Sequence, residues 1–378
     1  MDVHAMTALL GGLTPAQFMR RHWQKKPLLV RQAWAGARPP LERSALFALA
    51  GRDDVESRLV VRDGDHWRMR RGPFTRRALP PLARADWTLL VQGLDLHDDG
   101  ARAMLDRFRF VPEARLDDLM VSYATPGGGV GAHLDSYDVF LLQVQGRRRW
   151  RVGPVADRSL VDGLPVKILR HFVPTDEWVL EPGDMLYVPP LWGHDGIAED
   201  ECMTCSIGFR APGRAALASE LLQRAADEIE PPEVDALYRD RSQAATATPA
   251  LIPPALSDFA AAALRRALAD PAVLARALGV QLTEPKAQVW FDGGAPLPDG
   301  GAALVLDRRT RMMYDAQHVF INGEAFRAGG ADARLMRQLA DRRRLDARAL
   351  ARASDTARAL LEDWAEAGWL HAEPASQS

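Results

Sequence analysis

Short apolar runs separated by turn residues fill residues 118–210 of this 378-residue chain. Residues 139–144 form one such run, interrupted only by Gln143, as is typical of a strand buried on both faces. Residues 178–180 and 185–189 are predicted to pair as a hairpin through a turn at Glu181-Pro-Gly-Asp. About eight short strands at this spacing predict a small barrel or jelly roll, whose mouth can hold a ligand.

Three potential metal ligands stand in this strand-rich segment. His133 and Asp135 occupy positions i and i+2, which point the same way on a β-strand because side chains alternate between its faces. His194 follows 59 positions after Asp135. Two histidines and one carboxylate form the facial triad of non-haem Fe(II) oxygenases, in which the remaining coordination positions are open. Because a His-X-Asp pattern is common by chance, this prediction depends on the motifs around it.

Composition sets only broad limits. The length predicts two or three domains, and 47% hydrophobic residues are ample for packed cores. A formal net charge of −2 gives no global attraction to nucleic acid or anionic membranes. No apolar run approaches the roughly 18 residues of a membrane span, and no signal peptide is expected. The use of only two cysteines fits a reducing cytoplasm.

Cys202 and Cys205 form a C-x-x-C pattern, which in other settings marks a redox or zinc site. They lie in a run that we interpret as a strand, where positions three apart face opposite sides and the thiols do not converge. A zinc site would also require a second C-x-x-C, which the sequence lacks. We therefore predict a structural role for both cysteines.

Residues 1–116 mix helix and strand patterns. Thr14-Pro15 predicts the start of a helix, and residues 101–110 predict another. Residues 28–30, 58–62 and 87–93 predict strands. His22 is expected to be structural because no partner ligand lies near it in the sequence.

Three motifs give the chain a family resemblance. They are Pro-Gly-Gly-Gly-Val-Gly-Ala-His-Leu-Asp-Ser-Tyr-Asp-Val-Phe at 126–140, Gln-Gly-Arg-Arg-Arg-Trp-Arg-Val-Gly at 145–153, and Glu-Pro-Gly-Asp-Met-Leu-Tyr-Val-Pro-Pro followed by His at 181–194. Together they resemble the bacterial JmjC-type cupin ribosomal oxygenases, in particular arginine hydroxylases of large-subunit ribosomal protein sixteen. Arg-His-Trp-Gln-Lys-Lys-Pro at 21–27 and Ser-Ile-Gly-Phe-Arg-Ala-Pro at 206–212 extend the resemblance over the whole chain.

The resemblance implies a double-stranded β-helix that holds Fe(II) through His133, Asp135 and His194, with 2-oxoglutarate and O2 as cosubstrates. The far carboxylate of 2-oxoglutarate needs a cation, and the resemblance assigns Arg148 to this role, with a hydroxyl donor from Ser122. A guanidinium fits because it offers a bidentate fork that stays charged when desolvated. Strand alternation points Arg148 to the opposite side from Arg147 and Arg149. We interpret Arg147 and Arg149 as parts of a solvated basic turn. Thr204 and Ser206 are further candidates for the barrel interior.

The implied reaction is decarboxylation of 2-oxoglutarate to succinate and CO2 coupled to hydroxylation of the β-carbon of an arginine. Such a substrate needs an acidic or hydroxyl-bearing clamp. Asp117, Asp118 and Tyr137 are the candidates, and Tyr137 shares strand parity with His133 and Asp135. Asp117 and Asp118 could equally be an exposed pair at the start of a strand.

Residues 213–280 change in character. Residues 214–229 form an amphipathic helix pattern with Leu217, Leu221, Leu222 and Ile229 on one stripe, which Pro231-Pro232 ends. A loop at 241–254 precedes one or two alanine-rich helices within 256–278. The resemblance implies that this region forms a homodimer; the alternative is that the helices pack on their own barrel.

Residues 281–378 are predicted to form a winged-helix-like module. Residues 287–291, 302–306 and 319–323 predict strands, and residues 331–339, 346–353 and 356–367 predict helices. The basic cluster at 342–344 suggests nucleic-acid binding, but acidic residues offset it. A packing or protein-contact role is favoured.

The sequence therefore predicts an α+β protein: an oxygenase domain at 1–212 with its core at 117–210, a helical dimerisation region at 213–280, and a winged-helix-like domain at 281–378. The predicted activity is Fe(II)/2-oxoglutarate-dependent arginine hydroxylation of a large-subunit ribosomal protein, in the cytoplasm and without direct nucleic-acid binding. Two alternatives stay open. One is an oxygenase of the same fold acting on a histidyl residue, RNA or a small molecule; the other is a non-catalytic cupin that serves as a binding or regulatory module.

Overall fold

The computed structural model describes residues 2–227, 235–298 and 302–373. The chain divides into two compact units, Met1–Ala211 with Ala287–Trp290 and Pro212–Lys286 with Phe291–Ser378. The finer domain boundaries given above stay a prediction. Among the described residues, no helix combines the length and the apolar character that crossing a membrane requires.

The first unit consists mainly of antiparallel strands. Its helices are α1 (Pro15–Arg21), α2 (Arg43–Leu49) and α3 (Asp99–Asp106). Its strands are β1 (Leu28–Val30), β2 (Ser57–Asp63), β3 (His66–Arg71), β4 (Trp87–Val91), β5 (Leu116–Ala124), β6 (His133–Leu134), β7 (Val139–Gln145), β8 (Arg148–Pro154), β9 (Asp176–Leu180), β10 (Met185–Val188), β11 (Trp192–Ala198) and β12 (Cys202–Phe209). The helix predicted at Thr14-Pro15 is confirmed, and Thr14 and Gln17 form a reciprocal capping box at its start.

Two sheets build a jelly roll. One has eight strands in the order β1-β10-β7-β12-β5-β4-β2-β3, and the other has four in the order β6-β11-β8-β9. In the second half of the unit the chain passes repeatedly between the two sheets: β5, β7, β10 and β12 belong to the large sheet, and β6, β8, β9 and β11 belong to the small one. This arrangement confirms the predicted jelly roll.

The hairpin predicted for residues 178–180 and 185–189 is wrong. Both strands exist, but β9 pairs with β8 and β10 pairs with β1 and β7. The turn between them crosses from one sheet to the other, and the Asp184 carboxylate in this turn accepts hydrogen bonds from the backbone N–H groups of Gln32 (3.0 Å) and Glu181 (3.1 Å). The bond from Gln32 ties the turn to the segment after β1, and the bond from Glu181 closes the turn itself.

An aromatic core covers the outer face of the large sheet. Phe18 of α1, Phe140 of β7, Tyr187 of β10 and Phe209 of β12 are buried here, with ring centroids of Phe140 and Tyr187 4.9 Å apart. Burying each such ring contributes on the order of 1.5–3 kcal/mol to folding. The N-terminal helix is therefore an integral layer of the barrel.

The two cysteines face different environments, as predicted. Cys205 lies in the outer core with Met203 and Ile207, whereas Cys202 packs with Ala124 and Ala198 on the opposite face of β12. Both thiols are free and buried. The C-x-x-C pattern is therefore structural.

The interior between the two sheets has an apolar part and a polar part. Seven buried apolar side chains form the first: Val139, Leu141, Trp150, Val152, Leu180, Leu186 and Val188. The second gathers buried polar side chains from β5, β7, β8, β11 and β12: Ser122, Gln143, Arg148, His194, Thr204 and Ser206. Every polar member lies on a strand, so its direction is fixed by strand alternation.

The second unit contains helices α4 (Arg214–Asp227), α5 (Pro254–Ala267), α6 (Pro271–Thr283), α7 (Gly330–Arg342), α8 (Ala347–Leu350) and α9 (Asp355–Glu366). Its strands are β13 (Leu304–Leu306), β14 (Met312–Tyr314), β15 (His318–Ile321), β16 (Glu324–Arg327), β17 (Arg344–Leu345) and β18 (Leu370–Ala372). They form two three-stranded sheets, β17-β13-β18 and β14-β15-β16, around a core with Leu339, Leu361 and Trp364.

Not every element predicted for this unit is present. Residues 287–291 form no strand, and the side chain of Trp290 is 61% exposed, because no strand pairs with this apolar run. The helix predicted at 346–353 is a single turn, Ala347–Leu350, capped by the Asp346 side chain. Ile229 and Pro231-Pro232, used above to predict the end of a helix, lie outside the described residues.

Candidate metal centre

Strands β6 and β11 bring the two histidines together. His133 and His194 are direct partners in the antiparallel register, and their ring centroids are 4.2 Å apart. Asp135 follows β6 by one residue, and its Oδ2 lies 4.0 Å from Nε2 of His133 and 3.5 Å from Nε2 of His194. One ligand atom from each residue lies within 4.8 Å of the other two. The geometry therefore suits a shared metal ion.

Both imidazole rings are oriented in the same way by the backbone. Nδ1 of His133 lies 2.9 Å from the Gly131 carbonyl oxygen, and Nδ1 of His194 lies 3.2 Å from that of Trp192. When Nδ1–H donates to a carbonyl, the tautomer that remains has a free lone pair on Nε2, the atom nearest Asp135. Each ring is thus held by the residue two positions before it.

Burial keeps His194 neutral. Its side chain is 3% exposed, and desolvation together with a nearby His133 charge lowers the pKa of His194 to about 4, although Asp135 acts in the opposite direction. Neutral imidazole is the form that binds metal, because a bound proton competes for the same nitrogen. The site is therefore ready for a cation at neutral pH.

The glycine-rich loop before β6 fixes the position of this strand. The Gly127 N–H donates to the Ala198 carbonyl (2.8 Å), and the Ala198 N–H donates to the Gly128 carbonyl (2.9 Å). A Cβ on Gly129 would stand 2.6 Å from the backbone oxygen of Gly196, so only glycine allows this close approach. The loop is therefore bonded to β11, the strand that carries His194.

Arg148 is a buried cation in the barrel interior. Its side chain is 4% exposed, and Nη1 donates to Oγ of Ser122 at 3.0 Å. Among the described residues, Nε and Nη2 have no hydrogen-bond partner and no carboxylate lies within 4 Å. An unpaired buried charge costs several kcal/mol, so the pocket is suited to an anionic ligand that supplies the missing counter-charge.

The neighbours of Arg148 point to solvent, as strand alternation predicted. Arg147 pairs with Asp200 (2.9 Å), and Arg149 pairs with Glu177 (2.5 Å) and Glu199 (2.6 Å). Exposed pairs of this kind contribute about 0–1 kcal/mol each. Arg148 alone of the three can reach an interior ligand.

Arg148 and His194 face the same interior. In the register of β8 with β11, Val152 is opposite His194 and Arg148 is opposite Ala198, four residues along the ladder, or about 13 Å between Cα positions. An extended arginine side chain and a five-carbon dicarboxylate can together bridge this separation. Gly196 leaves room for Trp150, whose ring atoms lie 2.6 Å from where a Cβ at Gly196 would stand.

The remaining predicted residues have separate surroundings. Asp118 is buried and accepts hydrogen bonds from Gln92 Nε2 (2.6 Å) and the Gly93 N–H (3.0 Å). Tyr137 is 40% exposed, but its hydroxyl is desolvated beside Asp135 and Asp118, and all three effects raise its pKa. Asp117 has the opposite strand parity and bonds Nε of Arg210 at 3.2 Å, so the structure does not bring it to the face of Asp118.

The other two hydroxyl candidates, Thr204 and Ser206, are buried in the polar interior. Thr204 donates to Oε1 of Gln143 at 2.8 Å and is therefore already engaged. Ser206 lies opposite Met120 of β5 and Leu141 of β7. Both belong to the wall near Arg148 and Ser122.

Asp138 is a further buried residue beside the site that the sequence patterns above do not indicate. This carboxylate is fully buried and accepts hydrogen bonds from the Tyr187 hydroxyl (2.6 Å) and from Gln24 Nε2 (3.1 Å), with Arg115 Nη2 at 3.4 Å. It anchors the segment between Asp135 and β7. The available signal was an acidic residue directly before a long apolar run.

We expect His194→Ala to weaken Co²⁺ binding by more than about 100-fold, because it removes the most buried of three ligands. The measurement is a calorimetric Co²⁺ titration. His171→Ala, which removes an exposed histidine of the same unit, is the matched control and should bind as the unmodified protein does. Equal Co²⁺ affinity in the two variants would contradict the assignment of this centre.

Comparison with known proteins agrees with this architecture. Residues 103–217 match the JmjC domain family, and residues 266–371 match the ROXA-like winged helix. Over 205 residues the chain is 40% identical to ribosomal protein uL16 3-hydroxylase of Escherichia coli (strain K12), covering 53% of this chain and 54% of the relative. A probable ribosomal oxygenase of Haemophilus influenzae is 39% identical, covering 53% and 50%. The aligned part thus spans about half the length of these curated relatives.

Solved structures extend the similarity to the full length. The crystal structure of Escherichia coli ribosomal oxygenase YcfD superposes with a TM-score of 0.79 at 30% identity and covers 96% of this chain and 98% of that one. YcfD in complex with cobalt and 2-oxoglutarate superposes with a TM-score of 0.80 at 28% identity, covering 98% and 99%. The chain therefore belongs to the family of JmjC-domain ribosomal oxygenases with a ROXA-like winged helix.

Proposed function

We propose that the chain is an Fe(II)- and 2-oxoglutarate-dependent hydroxylase of an arginine side chain in a large-subunit ribosomal protein. The observation that carries the proposal is one barrel interior with a His-Asp-His cluster and a buried guanidinium that lacks a counter-charge. The uL16 3-hydroxylase relative and the YcfD complex with cobalt and 2-oxoglutarate support it.

The donor set fits Fe(II). Two neutral imidazoles and one carboxylate, His133, His194 and Asp135, form the triad that leaves further coordination positions open. When bound, iron and 2-oxoglutarate would supply the oxidising chemistry, in which O2 converts 2-oxoglutarate to succinate and CO2 and one oxygen atom is inserted into a C–H bond. The protein itself supplies geometry and a dry pocket.

Arg148 and Ser122 would hold the far carboxylate of 2-oxoglutarate. The Nε and Nη2 hydrogens of Arg148 form a fork that matches a carboxylate, and Nη1 is already fixed by Ser122. Trp150 and Val152, which are buried and lie beside Arg148 on β8, would provide an apolar wall between Arg148 and the metal cluster. Low dielectric beside this wall strengthens the ion pair that the ligand completes.

Asp118 and Tyr137 would position the substrate arginine. The charges of Asp118 and Asp135 both act on the Tyr137 hydroxyl, so the three groups form one polar patch at the metal centre. A buried carboxylate favours a cationic guanidinium over a neutral imidazole, which supports arginine rather than histidine as the substrate. The pairing of Asp117 with Arg210 supports a structural role for that residue.

We further propose that the protein is a cytoplasmic homodimer that forms through residues 213–280. Helix α5 has no buried residue, and its apolar side chains Leu256, Phe259 and Leu264 are 38%, 38% and 56% exposed. An apolar helix face of this kind is normally covered by a partner. A second copy supplies the same face, as a two-fold interface requires.

The central test is mass spectrometry of a purified large-subunit ribosomal protein after incubation with the enzyme, Fe(II), ascorbate and 2-oxoglutarate. We expect the mass of one oxygen atom to be added to a single arginine. The His133→Ala variant should add none, because a triad ligand is missing. Succinate production without any modified arginine would retain the oxygenase activity and exclude the proposed substrate.

Arg148→Lys is expected to raise the KM for 2-oxoglutarate by about tenfold or more, since an ammonium group cannot form the bidentate contact. Co²⁺ affinity should not change. Arg149→Lys makes the same replacement at an exposed ion pair and should leave the KM unaltered. A normal KM in Arg148→Lys would remove this residue from the cosubstrate site.

Asp118→Asn and Tyr137→Phe are each expected to raise the KM for a ribosomal-protein peptide by about tenfold, because each removes one contact to a charged substrate. The KM for 2-oxoglutarate, measured at saturating peptide, should stay constant. Asp117→Asn serves as the control and should behave as the unmodified enzyme. If Asp117→Asn has the largest effect, Asp117 and not Asp118 contacts the substrate.

Replacing Phe259 and Leu264 with aspartate should convert the dimer into monomers, since four buried charges per dimer would be unpaired. Light scattering after size-exclusion chromatography measures the mass. Arg265→Asp and Arg266→Asp on the same helix introduce equal numbers of carboxylates as a control. A monomeric unmodified protein would contradict the proposed dimer.

A further inference from the structure

A basic segment lies outside the proposed active site. Residues 57–86 contain eight arginines and three aspartates, and no lysine or glutamate, which gives a formal charge of +5 in a chain whose total is −2. The segment forms the β2–β3 hairpin, at the end of the eight-stranded sheet, and the loop that leads to β4. The fold therefore concentrates positive charge at one edge of the barrel.

Only some of these arginines form ion pairs with aspartates of the same segment. Arg62 pairs with Asp86 at 2.6 Å, and Arg68 and Arg84 both pair with Asp63. Four exposed arginines have no carboxylate within 4 Å among the described residues, and we call them the arginine patch: Arg70, Arg71, Arg76 and Arg77. Two of them, Arg70 and Arg76, stack over Phe74 and Phe47, which holds their guanidinium groups in place.

A concave site opens beside the arginine patch. Its volume is about 560 Å³, and its walls include Trp67, Met69, Leu79, Pro80 and Pro165. Arg68, Arg70 and Arg84 also line it. This volume is in the range that holds a small planar ligand. The half-buried indole of Trp67 lines the cavity, and the Arg62 guanidinium lies over its ring, 5.8 Å from the centroid, so a base would stack on the face that Arg62 leaves open.

We propose that the arginine patch and this cavity bind single-stranded RNA, with phosphates on the arginines and a base stacked against Trp67. Basic grooves with aromatic platforms are the general means of binding single strands without reading their sequence. An acidic peptide would use the guanidinium groups but has no need of the aromatic cavity. We favour RNA over other polyanions on the basis of the proposed function, because the substrate would be a ribosomal protein and ribosomal proteins bind ribosomal RNA.

The cavity adjoins the metal centre. The Trp67 ring lies 3.5 Å from the position of a Cβ on Gly131, and the Gly131 carbonyl is the one that orients His133. RNA bound here would lie beside a protein substrate at the metal. The enzyme could then recognise its substrate in association with RNA. From the sequence we expect no direct nucleic-acid binding, because the net charge of the whole chain is −2 and acidic residues offset the basic cluster at 342–344; neither argument reflects the local charge of residues 57–86.

The test is fluorescence anisotropy of a labelled oligoadenylate of about 12 nucleotides, titrated with the full-length protein at several salt concentrations. The patch variant carries Arg70→Gln, Arg71→Gln and Arg77→Gln. Its matched control carries Arg147→Gln, Arg149→Gln and Arg151→Gln, which removes the same charge from three arginines that are already paired with carboxylates. Trp67→Leu tests stacking.

We expect the patch variant to bind at least about tenfold more weakly and to reduce the slope of log Kd against log salt by about 2, as three lost phosphate contacts require. The control triple variant should bind as the unmodified protein does. Trp67→Leu should weaken binding by about fivefold or more. Hydroxylation of a short peptide should be unchanged in the patch variant.

Three outcomes would overturn the proposal: no RNA binding, equal weakening in the two triple variants, or full competition by polyglutamate with no effect of Trp67→Leu. The last outcome would indicate a site for acidic peptides. The RNA measurement needs neither iron nor 2-oxoglutarate, so it can fail while arginine hydroxylation is observed, or succeed while hydroxylation is not.

Discussion

The pairing of the two-residue strand β6 with β11 is the contact on which the candidate active site depends. It places His133 directly opposite His194, and it brings Asp135 to within 4.0 Å of both imidazole nitrogens. Such a short strand has few ladder bonds of its own. The glycine loop before it and the Leu191 N–H, which donates to the Asp135 carbonyl at 2.7 Å, supply the additional bonds that fix it to β11.

The barrel interior combines two electrostatic conditions that would each be unfavourable without a ligand. The metal cluster brings one carboxylate and two nitrogen lone pairs together, and Arg148 holds an unpaired positive charge away from water. A metal chelated by a dicarboxylate would satisfy both, because it fills the cluster and presents a free carboxylate to the guanidinium. One ligand, 2-oxoglutarate, would therefore contact the metal at one end and Arg148 at the other.

Strand alternation explains why much of the site could be predicted from the sequence. The parity rule correctly separated Arg148 from Arg147 and Arg149, and Cys202 from Cys205, because it depends only on local backbone geometry. It could not show that β9 and β10 belong to different sheets, since strand pairing depends on contacts between segments that are distant in the chain, such as the ladder between β10 and β7. The arginine patch was not predicted for a related reason. Its arginines are visible in the sequence, but their position at the free edge of a sheet depends on the strand order of the fold.

Under the proposed function, iron and 2-oxoglutarate are held together in this interior. The most direct measurement is the visible absorption spectrum of the anaerobic Fe(II)-loaded protein as 2-oxoglutarate is added. A ketoacid chelated to Fe(II) gives a charge-transfer band that succinate, which lacks the keto oxygen, does not. We predict that the band appears with 2-oxoglutarate and is absent with succinate. A spectrum that 2-oxoglutarate leaves unchanged would show that the interior does not hold the two together.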